Sequence, residues 1–334
     1  MLFSADFKLL KISLFIIIIS GLFSPDVFSA GKAGSRASDF RDVTAGAEFT
    51  AMGKSGGAVI DDVFSIYWNP AGLGNLAELP DFSSVDDNGR DGAAGVTDND
   101  LTNFSGSRSK NIQFGASGAF IYDKSTSGFF GAAFRAFRGV IGAALLSIYS
   151  EDEGLSEAGP DASASAGFIS YGTALGPAAL GISLKAFYEK IGEYRFYGFG
   201  ADAGCQVEIV PFIKTALVVQ DLATVFKPYE DYGYIENKYD FSSQAVKISA
   251  AISGISYFII AFSGVKILDA DYQFNYGLRY DIRKNFSLSL GINDYSAVCS
   301  GLSWGIKSGK ISYALSYEWD ERDYNNIISI IHEI

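Results

Sequence analysis

The chain has a single histidine, His332, although histidine is the side chain that most often acts as a general acid or base. A His-based catalytic triad or a His-rich metal site is therefore excluded. Asp61 and Asp62 form an adjacent acid pair, but without other clustered acids the pair is interpreted as a solvated turn or a helix cap. No glycine-rich loop precedes a helix as a nucleotide site requires. We therefore predict that the protein is not an enzyme and has no cofactor or metal.

Two charged side chains, Lys185 and Arg279, are candidates for ligand contacts because they lie in segments with one apolar face. On the lipid-facing surface of a membrane barrel, a charge at the bilayer midplane costs about 2–4 kcal/mol. Both side chains are therefore expected to face the interior. There they would either pair with the carboxylate of a ligand or be hydrated residues of the lumen, and both interpretations stay open.

The segments that position these side chains alternate strictly between apolar and polar residues. The clearest is Tyr272–Ile282, and Phe286–Asn293, Ile311–Trp319 and Leu180–Glu189 repeat the pattern. Such a period of two is typical of a β-strand with one apolar and one polar face. Fourteen segments of this kind lie between Asn111 and Ile334, which predicts an all-β fold, a fourteen-stranded antiparallel transmembrane barrel.

The connections between the predicted strands alternate between short and long. The longer, polar ones are chiefly Ser150–Asp161 and Leu222–Ser243. An outer-membrane barrel has this asymmetry because one rim carries tight periplasmic turns and the other carries external loops. The predicted short turns are Arg138-Gly139, Leu175-Gly176, Val210-Pro211, Ser253–Ile255, Arg283–Asn285 and Lys307–Gly309.

The composition also favours a membrane barrel with an export signal. Of the 334 residues, 48% are hydrophobic and only 19% are charged, which is little charge for a soluble protein of this size. After the N-terminus, the apolar residues alternate with polar ones and form no run long enough for a membrane-spanning helix. Residues 1–30 are predicted to be a signal peptide, with Lys8 and Lys11 before the apolar run Ile12–Phe23 and a cleavage point near Ala30. The cell outer membrane is the predicted location, with its lipid as one partner.

The net charge of −12 disfavours nucleic acids and anionic surfaces as partners. Acidic residues concentrate in the predicted outer loops. Basic residues lie in or beside the predicted inner turns: Arg138, Arg283, Lys284, Lys307 and Lys310.

The N-terminal third differs in kind from the predicted barrel. Asp39–Met52 is predicted to form a short amphipathic helix that Gly53–Gly57 ends. Leu79–Val85 is a candidate strand, and Asp86–Lys110 is a polar connector. If Leu79–Val85 is the first barrel strand, Asn111–Tyr122 must be plug or loop, and the sequence leaves this choice open.

One run of residues in this third resembles a known family. The run resembles the N-terminal signature of FadL-like outer-membrane proteins, in particular the PorV/PorQ-type branch and FadL-like proteins of spirochaetes. The similar residues are Ala51-Met52-Gly53, Gly57-Ala58, Asp61-Asp62 and Ser65–Leu73 (SIYWNPAGL). The resemblance implies a barrel over residues 111–334, plugged by an N-terminal lumenal hatch with its connector over residues 31–110. Val63 and Phe64 depart from the small residues usual in the family.

The resemblance implies transport of hydrophobic small molecules such as long-chain fatty acids across the outer membrane. A protein-binding barrel for exported proteins and a structural surface-antigen barrel are the alternatives.

The predicted hatch motif consists of Asn69, Pro70, Ala71 and Gly72. Pro70 biases Asn69 away from helix, and the Asn69 side chain can form a turn with its own backbone. Gly72 and Gly74 are predicted to let the chain reverse. The turn either braces the plug or takes part in substrate passage.

The two cysteines, Cys205 and Cys299, fall on the sixth and twelfth predicted barrel strands. These strands are far apart in a closed ring of fourteen, so the geometry of a disulfide is not available. We expect free thiols, although two cysteines in an exported chain commonly pair.

Overall fold

The computed structural model describes residues 44–77, 112–120, 125–150, 162–191, 194–222, 224–228, 240–241, 244–255, 257–267, 272–283, 285–294, 296–319 and 322–334. The predicted signal peptide, the strand Leu79–Val85, the connector Asp86–Lys110 and most of the acidic connection Ser150–Asp161 lie outside the described residues.

The described residues form sixteen strands, all paired antiparallel. They are β1 (Ile112–Phe120), β2 (Thr126–Ala136), β3 (Gly139–Ser150), β4 (Ala162–Leu175), β5 (Ala178–Ile191), β6 (Tyr194–Val210), β7 (Ile213–Gln220), β8 (Val225–Pro228), β9 (Asp240–Phe241), β10 (Ala245–Ile255), β11 (Phe258–Ile267), β12 (Tyr272–Arg283), β13 (Phe286–Asn293), β14 (Ala297–Ile306), β15 (Gly309–Glu318) and β16 (Asp323–Glu333).

Fourteen of these strands form a closed barrel, which confirms the predicted fold. The short strands β8 and β9 are not part of the ring. In the ring β7 pairs directly with β10, whereas β8 pairs with the outer end of β6. The ring closes where β1 pairs with β16, with Gln113 opposite Glu333 and Phe120 opposite Asn326. Since the ring is complete without Leu79–Val85, the first barrel strand is Ile112–Phe120.

The two rims differ less in loop length than the sequence predicted. Every inner connection between consecutive strands has two residues, but so does the outer connection between β5 and β6. Only residues 151–161 and 221–244 are long, and β8 and β9 lie within the second of these. One predicted turn, Ser253–Ile255, is wrong, because these residues belong to β10 and the chain turns at residues 256–257. Alternation alone does not locate the last residue of a strand.

The outward face of the wall is apolar, as predicted. On β12, Tyr272 and Tyr276 are exposed, whereas Asn275 and Asp281 are buried on the inner face. Trp304 and Trp319, near opposite rims, are both more than half exposed, where interfacial aromatic residues are expected. The outward row Ile328, Ile330, His332 and Ile334 on and after the last strand is exposed too. Only a bilayer would cover such a continuous apolar belt.

Residues 44–77, which we call the hatch, lie inside the barrel. The backbone amides of Gly46 and Ala47 donate to the Ser117 and Ser329 hydroxyls of β1 and β16 at 3.2 and 3.0 Å. The hatch contains α1 (Ala47–Ala51), a short 3-10 helix (Gly56–Ala58), α2 (Ser65–Trp68) and α3 (Gly72–Ala77).

Helix α1 is shorter than the helix predicted over Asp39–Met52. It begins only after Gly46, whose φ of 85° lies in the left-handed region and ends any right-handed helix that approaches from the N-terminal side.

The two cysteines of the wall do not form a disulfide. Cys205 on β6 and Cys299 on β14 are free thiols, as predicted. No helix in the described part of the chain is long and apolar enough to cross a membrane.

Candidate functional site

The motif Asn69-Pro70-Ala71-Gly72 forms the turn between α2 and α3. Asn69 is extended (φ −159°, ψ 99°), as expected for a residue that precedes proline. Its Nδ2 donates to the Gly57 carbonyl at 2.8 Å, and its Oδ1 accepts the backbone N–H of Ala71 at 3.1 Å. The prediction that the Asn69 side chain forms a turn with its own backbone is confirmed, and the side chain also ties the turn to the 3-10 helix.

Gly72 and Gly74 have another role than the predicted chain reversal, because both lie within α3. A Cβ on Gly72 would lie 2.4 Å from the Ile60 carbonyl oxygen, and one on Gly74 would lie 2.6 Å from the Thr173 carbonyl carbon. These distances are far below van der Waals contact. The two glycines therefore permit close packing of the hatch, and Gly74 brings α3 directly against β4.

Glycines of the wall make room for the motif from the other side, which the sequence reasoning missed. A Cβ on Gly181 of β5 would lie 2.1 Å from the Pro70 carbonyl carbon. One on Gly204 of β6 would lie 2.1 Å from Asn69 Oδ1. The signal available in the sequence was the presence of glycine at inward positions of consecutive strands.

Three neutral side chains of the wall donate to backbone carbonyls of the hatch. Ser183 Oγ donates to Ile66 at 3.0 Å, and Gln220 Nε2 donates to Tyr67 at 3.1 Å. Gln206 Nε2 lies 3.0 Å from the carbonyl oxygens of both Gly57 and Ile60. Ser183, Gln206 and Gln220, which we call the neutral attachment, satisfy carbonyl groups that burial has removed from water.

A cluster of charged residues holds the hatch on the opposite side of the lumen. The Glu48 carboxylate on α1 accepts hydrogen bonds from Arg279 of β12 and Lys310 of β15. Arg279 Nε also donates to Asp281 Oδ1 at 2.8 Å, and Lys310 Nζ lies 3.8 Å from Asp62 Oδ2. We call these five residues the charged attachment. It contains two cations and three acids, and each cation lies within 4 Å of two carboxylates.

Burial and neighbouring charge act in opposite directions on the two hatch carboxyls. For Glu48, burial favours the neutral acid, but Arg279 and Lys310 outweigh it and lower the pKa to about 2. For Asp62, burial dominates over the attraction of Lys310 and raises the pKa to about 6. Glu48 is therefore an anion throughout the physiological range, whereas Asp62 titrates just below neutrality.

The two members of the acid pair Asp61-Asp62 differ in exposure to solvent, whereas the prediction treated them alike. Asp61 is exposed, whereas Asp62 is half-buried and its Oδ1 accepts the Phe64 backbone N–H at 2.9 Å, just before α2 begins. Among the described residues, no group of three or more His, Cys, Asp and Glu side chains is arranged to hold a metal.

Lys185 and Arg279, the two predicted ligand contacts, both face the lumen but are not brought together. Lys185 Nζ lies 2.8 Å from Asp202 Oδ1 and 2.5 Å from Asp221 Oδ1. Arg279 belongs to the charged attachment. Both cations are thus already paired with carboxylates of the protein, and their role as ligand contacts stays a prediction.

A cavity lies on the outer side of the hatch, against β10–β13. Phe49 and Trp68 of the hatch, stacked with ring centroids 4.2 Å apart, form one wall. Lys247 Nζ lies 5.1 Å from the Trp68 ring centroid, at cation–π distance. The cavity volume is about 30 Å³, enough for one or two water molecules. The remaining lining residues are Lys54, Gly57, Val218, Ala245, Ser249, Ser263, Val265, Ile267, Gln273, Asn275 and Asn293.

The lumen beside β3–β5 is filled by apolar side chains instead. Tyr67 meets Phe168 edge to face at 6.0 Å, and both belong to one buried cluster with Ile66, Leu146 and Phe187. Val140, Ala144 and Leu146 of β3 belong to the same cluster, so this strand packs against the hatch. The cavity described above thus lies beside β10–β13, on a different side of the hatch from this apolar cluster.

The fold is shared with solved structures of transport barrels. The toluene transporter TodX of P. putida superposes with a TM-score of 0.56 at 10% identity, over 87% of this chain and 98% of that one. A FadL homologue of Pseudomonas aeruginosa gives 0.51 at 8% identity, with the same two coverages. Comparisons with protein-family models and with curated proteins gave no match. The chain thus has the closed antiparallel barrel fold of outer-membrane proteins.

Proposed function

We propose that this protein is an outer-membrane channel for hydrophobic small molecules, with long-chain fatty acids as its substrates. The observation that carries the proposal is the cavity between the hatch and β10–β13, which combines apolar and polar walls. Channels for such molecules are known on this fold in proteins as distant as the toluene transporter.

The lining suits an amphiphile better than a neutral hydrocarbon. Trp68, Val218 and Val265 offer apolar surface to an acyl chain, while Lys247 and Asn275 would bind its carboxylate. We place the carboxylate here because Lys247 and Asn275 line the same cavity as the apolar side chains that would contact the acyl chain. A volume of about 30 Å³ does not hold a fatty acid, so occupation requires the hatch to shift.

Trp68 provides a direct test, because the chain has only three tryptophans. Replacing Trp304 and Trp319 by Phe leaves Trp68 as the only indole and removes signal from the outer surface. A brominated fatty acid should then quench the fluorescence of the purified, folded protein in a saturable way. Toluene, as competitor, should reverse the quenching poorly.

The matched control keeps Trp304 and Trp319 and replaces Trp68 by Phe. It should show only the weak, unsaturable quenching of an indole in a detergent micelle. Saturable quenching of equal strength in both variants would place binding on the outer surface of the barrel and contradict the proposal. Stable capture of an exported protein, with no saturable quenching, would favour a protein-binding barrel.

The motif turn has a proposed role as a brace rather than as a moving part. Pro70→Ala frees a fixed φ angle and relaxes the limits on Asn69, so we expect a loss of stability of about 1 kcal/mol. Uptake of labelled fatty acid into cells should change only in proportion to the amount of folded protein. Altered uptake at unaltered thermal stability would instead assign the turn to substrate passage.

We also propose that residues 1–30 are removed on export and that residues 31–110 supply the hatch and its connector. N-terminal sequencing of protein from outer membranes should begin near Ala30 or Gly31. An N-terminus at Met1 would contradict this part of the proposal.

A further inference from the structure

The inner rim presents aromatic residues at turn positions where aromatics are unfavourable. Phe137 and Tyr257 have φ of 58° and 71°, in the left-handed region. In two-residue hairpin turns this region is normally occupied by Gly, Asn or Asp, and a bulky residue there is an outlier. Phe137 is also 94% exposed and Tyr257 53% exposed. The Phe137 side chain is therefore almost wholly uncovered by the barrel, and about half of the Tyr257 side chain is.

The outer rim handles the same backbone conformation differently. Among the residues of this rim that the structure describes, those of positive φ other than glycine are Asp221, Asp294 and Arg322. These are polar, and aspartate tolerates the left-handed region. The aromatic choice is thus specific to the inner rim and does not follow from the turn geometry, which indicates that the inner tips contact something apolar.

Other residues extend this surface around the inner rim. Phe212, at the tip between β6 and β7, is 51% exposed. Arg138, Arg283 and Lys307 are exposed in or beside three of the turns. Of the acids near this rim, Glu208 stands opposite Lys214 in the β6–β7 register. Five of the six inner turns therefore carry an exposed aromatic or cationic residue.

We propose that these tips, Phe137, Phe212 and Tyr257 with Arg138, Arg283 and Lys307, bind the headgroup region of an anionic phospholipid leaflet. The aromatic rings would enter the apolar boundary, and the cations would pair with phosphates. The tips continue the apolar belt of the wall, where Trp304 and Ile306 are exposed just above the rim.

A membrane fits the distribution better than a protein partner. The residues are spread over turns all around the ring, as a planar leaflet requires, whereas a protein would cover one arc of it. The chain as a whole has a net charge of −12, which disfavoured anionic surfaces in the sequence reasoning. That charge describes the molecule as an average, whereas at this rim exposed cations outnumber exposed acids among the described residues.

The test compares the full-length barrel in vesicles of phosphatidylcholine with and without phosphatidylglycerol. Both leaflets of such vesicles have the same composition, so the orientation of insertion does not matter. The readout is the temperature at which the folded band disappears on a gel run without boiling. Wild type should unfold at a higher temperature with phosphatidylglycerol, and the gain should vanish at high salt.

Two variants separate the contact from the strain of the turn. Phe137→Gly should unfold at a higher temperature than wild type in detergent, because strain is relieved, yet lose most of the gain from phosphatidylglycerol. The double variant Arg138→Gln with Lys307→Gln should lose that gain without any rise in detergent. Arg322→Gly, at an outer turn of the same φ, is the matched control and should keep the full gain.

An equal gain from phosphatidylglycerol in all four proteins would overturn the proposal. The proposal would also be overturned if Phe137→Gly lowered the unfolding temperature by the same amount in vesicles with and without phosphatidylglycerol. Inner-tip variants that behave as wild type in every vesicle but no longer retain a periplasmic protein would assign the surface to that protein instead.

Discussion

The hatch is held at two places whose chemistry differs, although glycines allow close approach at both. At the neutral attachment, uncharged side chains of β5–β7 donate to hatch carbonyls. At the charged attachment, Gly301 lies beside α1 and Gly291 beside Met52 and Gly53, which follow it, but the side-chain contacts of Glu48 on α1 are with Arg279 and Lys310. Only the second place responds to pH and salt. A movement of the hatch that opens the cavity would therefore be controlled from the charged side.

The largest effect is expected from Glu48→Gln, which leaves Arg279 and Lys310 facing a neutral amide. Removing one partner of a buried ion cluster costs about 3 kcal/mol. Because the folded-state pKa of Glu48 is about 2, against 4.5 for the free side chain, its contribution is complete above pH 4.5 and is lost as pH falls towards 2. Thermal unfolding of both proteins at several pH values should show the difference shrinking below pH 4.5. A constant difference would mean that the charge of Glu48 is not what stabilises the hatch.

Gly181→Ala tests close approach on the neutral side. The added Cβ would meet the Pro70 carbonyl carbon at 2.1 Å, so the backbone of the motif must move, at a cost of about 2 kcal/mol. Gly118→Ala is the matched control, since no atom lies within 4 Å of its Cβ. Thermal unfolding should fall for the first variant alone. Equal behaviour of the two would show that the motif does not depend on this contact.

Gln206→Leu keeps the volume of the side chain but removes its hydrogen bonds to Gly57, Ile60 and Asn75. Gly57 keeps its hydrogen bond from Asn69 Nδ2, but loss of the bonds to Ile60 and Asn75 should cost about 2 kcal/mol. Because no ionisable group is lost, the cost should be the same at every pH, in contrast to that of Glu48→Gln. A pH-dependent cost would show that the two attachments are coupled.

Asp62→Asn should give the smallest change, and in the opposite direction. The pKa of Asp62 is raised from 3.8 to about 6, so the charged form is a burden on the folded state. A shift of about two pKa units corresponds to at most about 3 kcal/mol, but solvent reaches the half-buried carboxyl and screens its charge. The variant should therefore be more stable by roughly 1 kcal/mol above pH 6, and the advantage should disappear as pH falls to 3.8. Asn retains the oxygen that accepts from Phe64. Destabilisation at neutral pH would show that the attraction of Lys310 outweighs burial.

The wall could be predicted from the sequence because a two-residue period depends only on neighbours in the chain. It assigned the outward face of β12 and the lumenal position of Arg279 correctly. The partners of Arg279 could not be predicted in this way. Glu48 lies 231 residues away, and their contact depends on the register of every strand around the ring and on where the hatch sits within it.

In the candidate site, too, features set by neighbouring residues could be predicted and features set by distant contacts could not. The turn at Asn69 follows from local rules for a residue before proline, so it could be predicted. Gln206 was missed because a glutamine on a polar strand face is an ordinary lumen residue until the hatch is placed beside it. Gly181 was missed because a glycine at an inward position signals a close approach but does not say which segment approaches. The turn at residues 256–257 was misplaced because the apolar run continues through it.

The seam between β1 and β16 has a consequence for the order of folding. The hatch precedes β1 in the chain, and Ala47 is bonded to Ser329 across 282 residues. The ring cannot close until the last eleven-residue strand has been made, and by then the hatch must already lie within the curling sheet. Contacts of such sequence separation make folding slow. A hatch peptide added to an assembled barrel that lacks residues 44–77 should therefore not find its place, because the opportunity to enter ends when the seam forms.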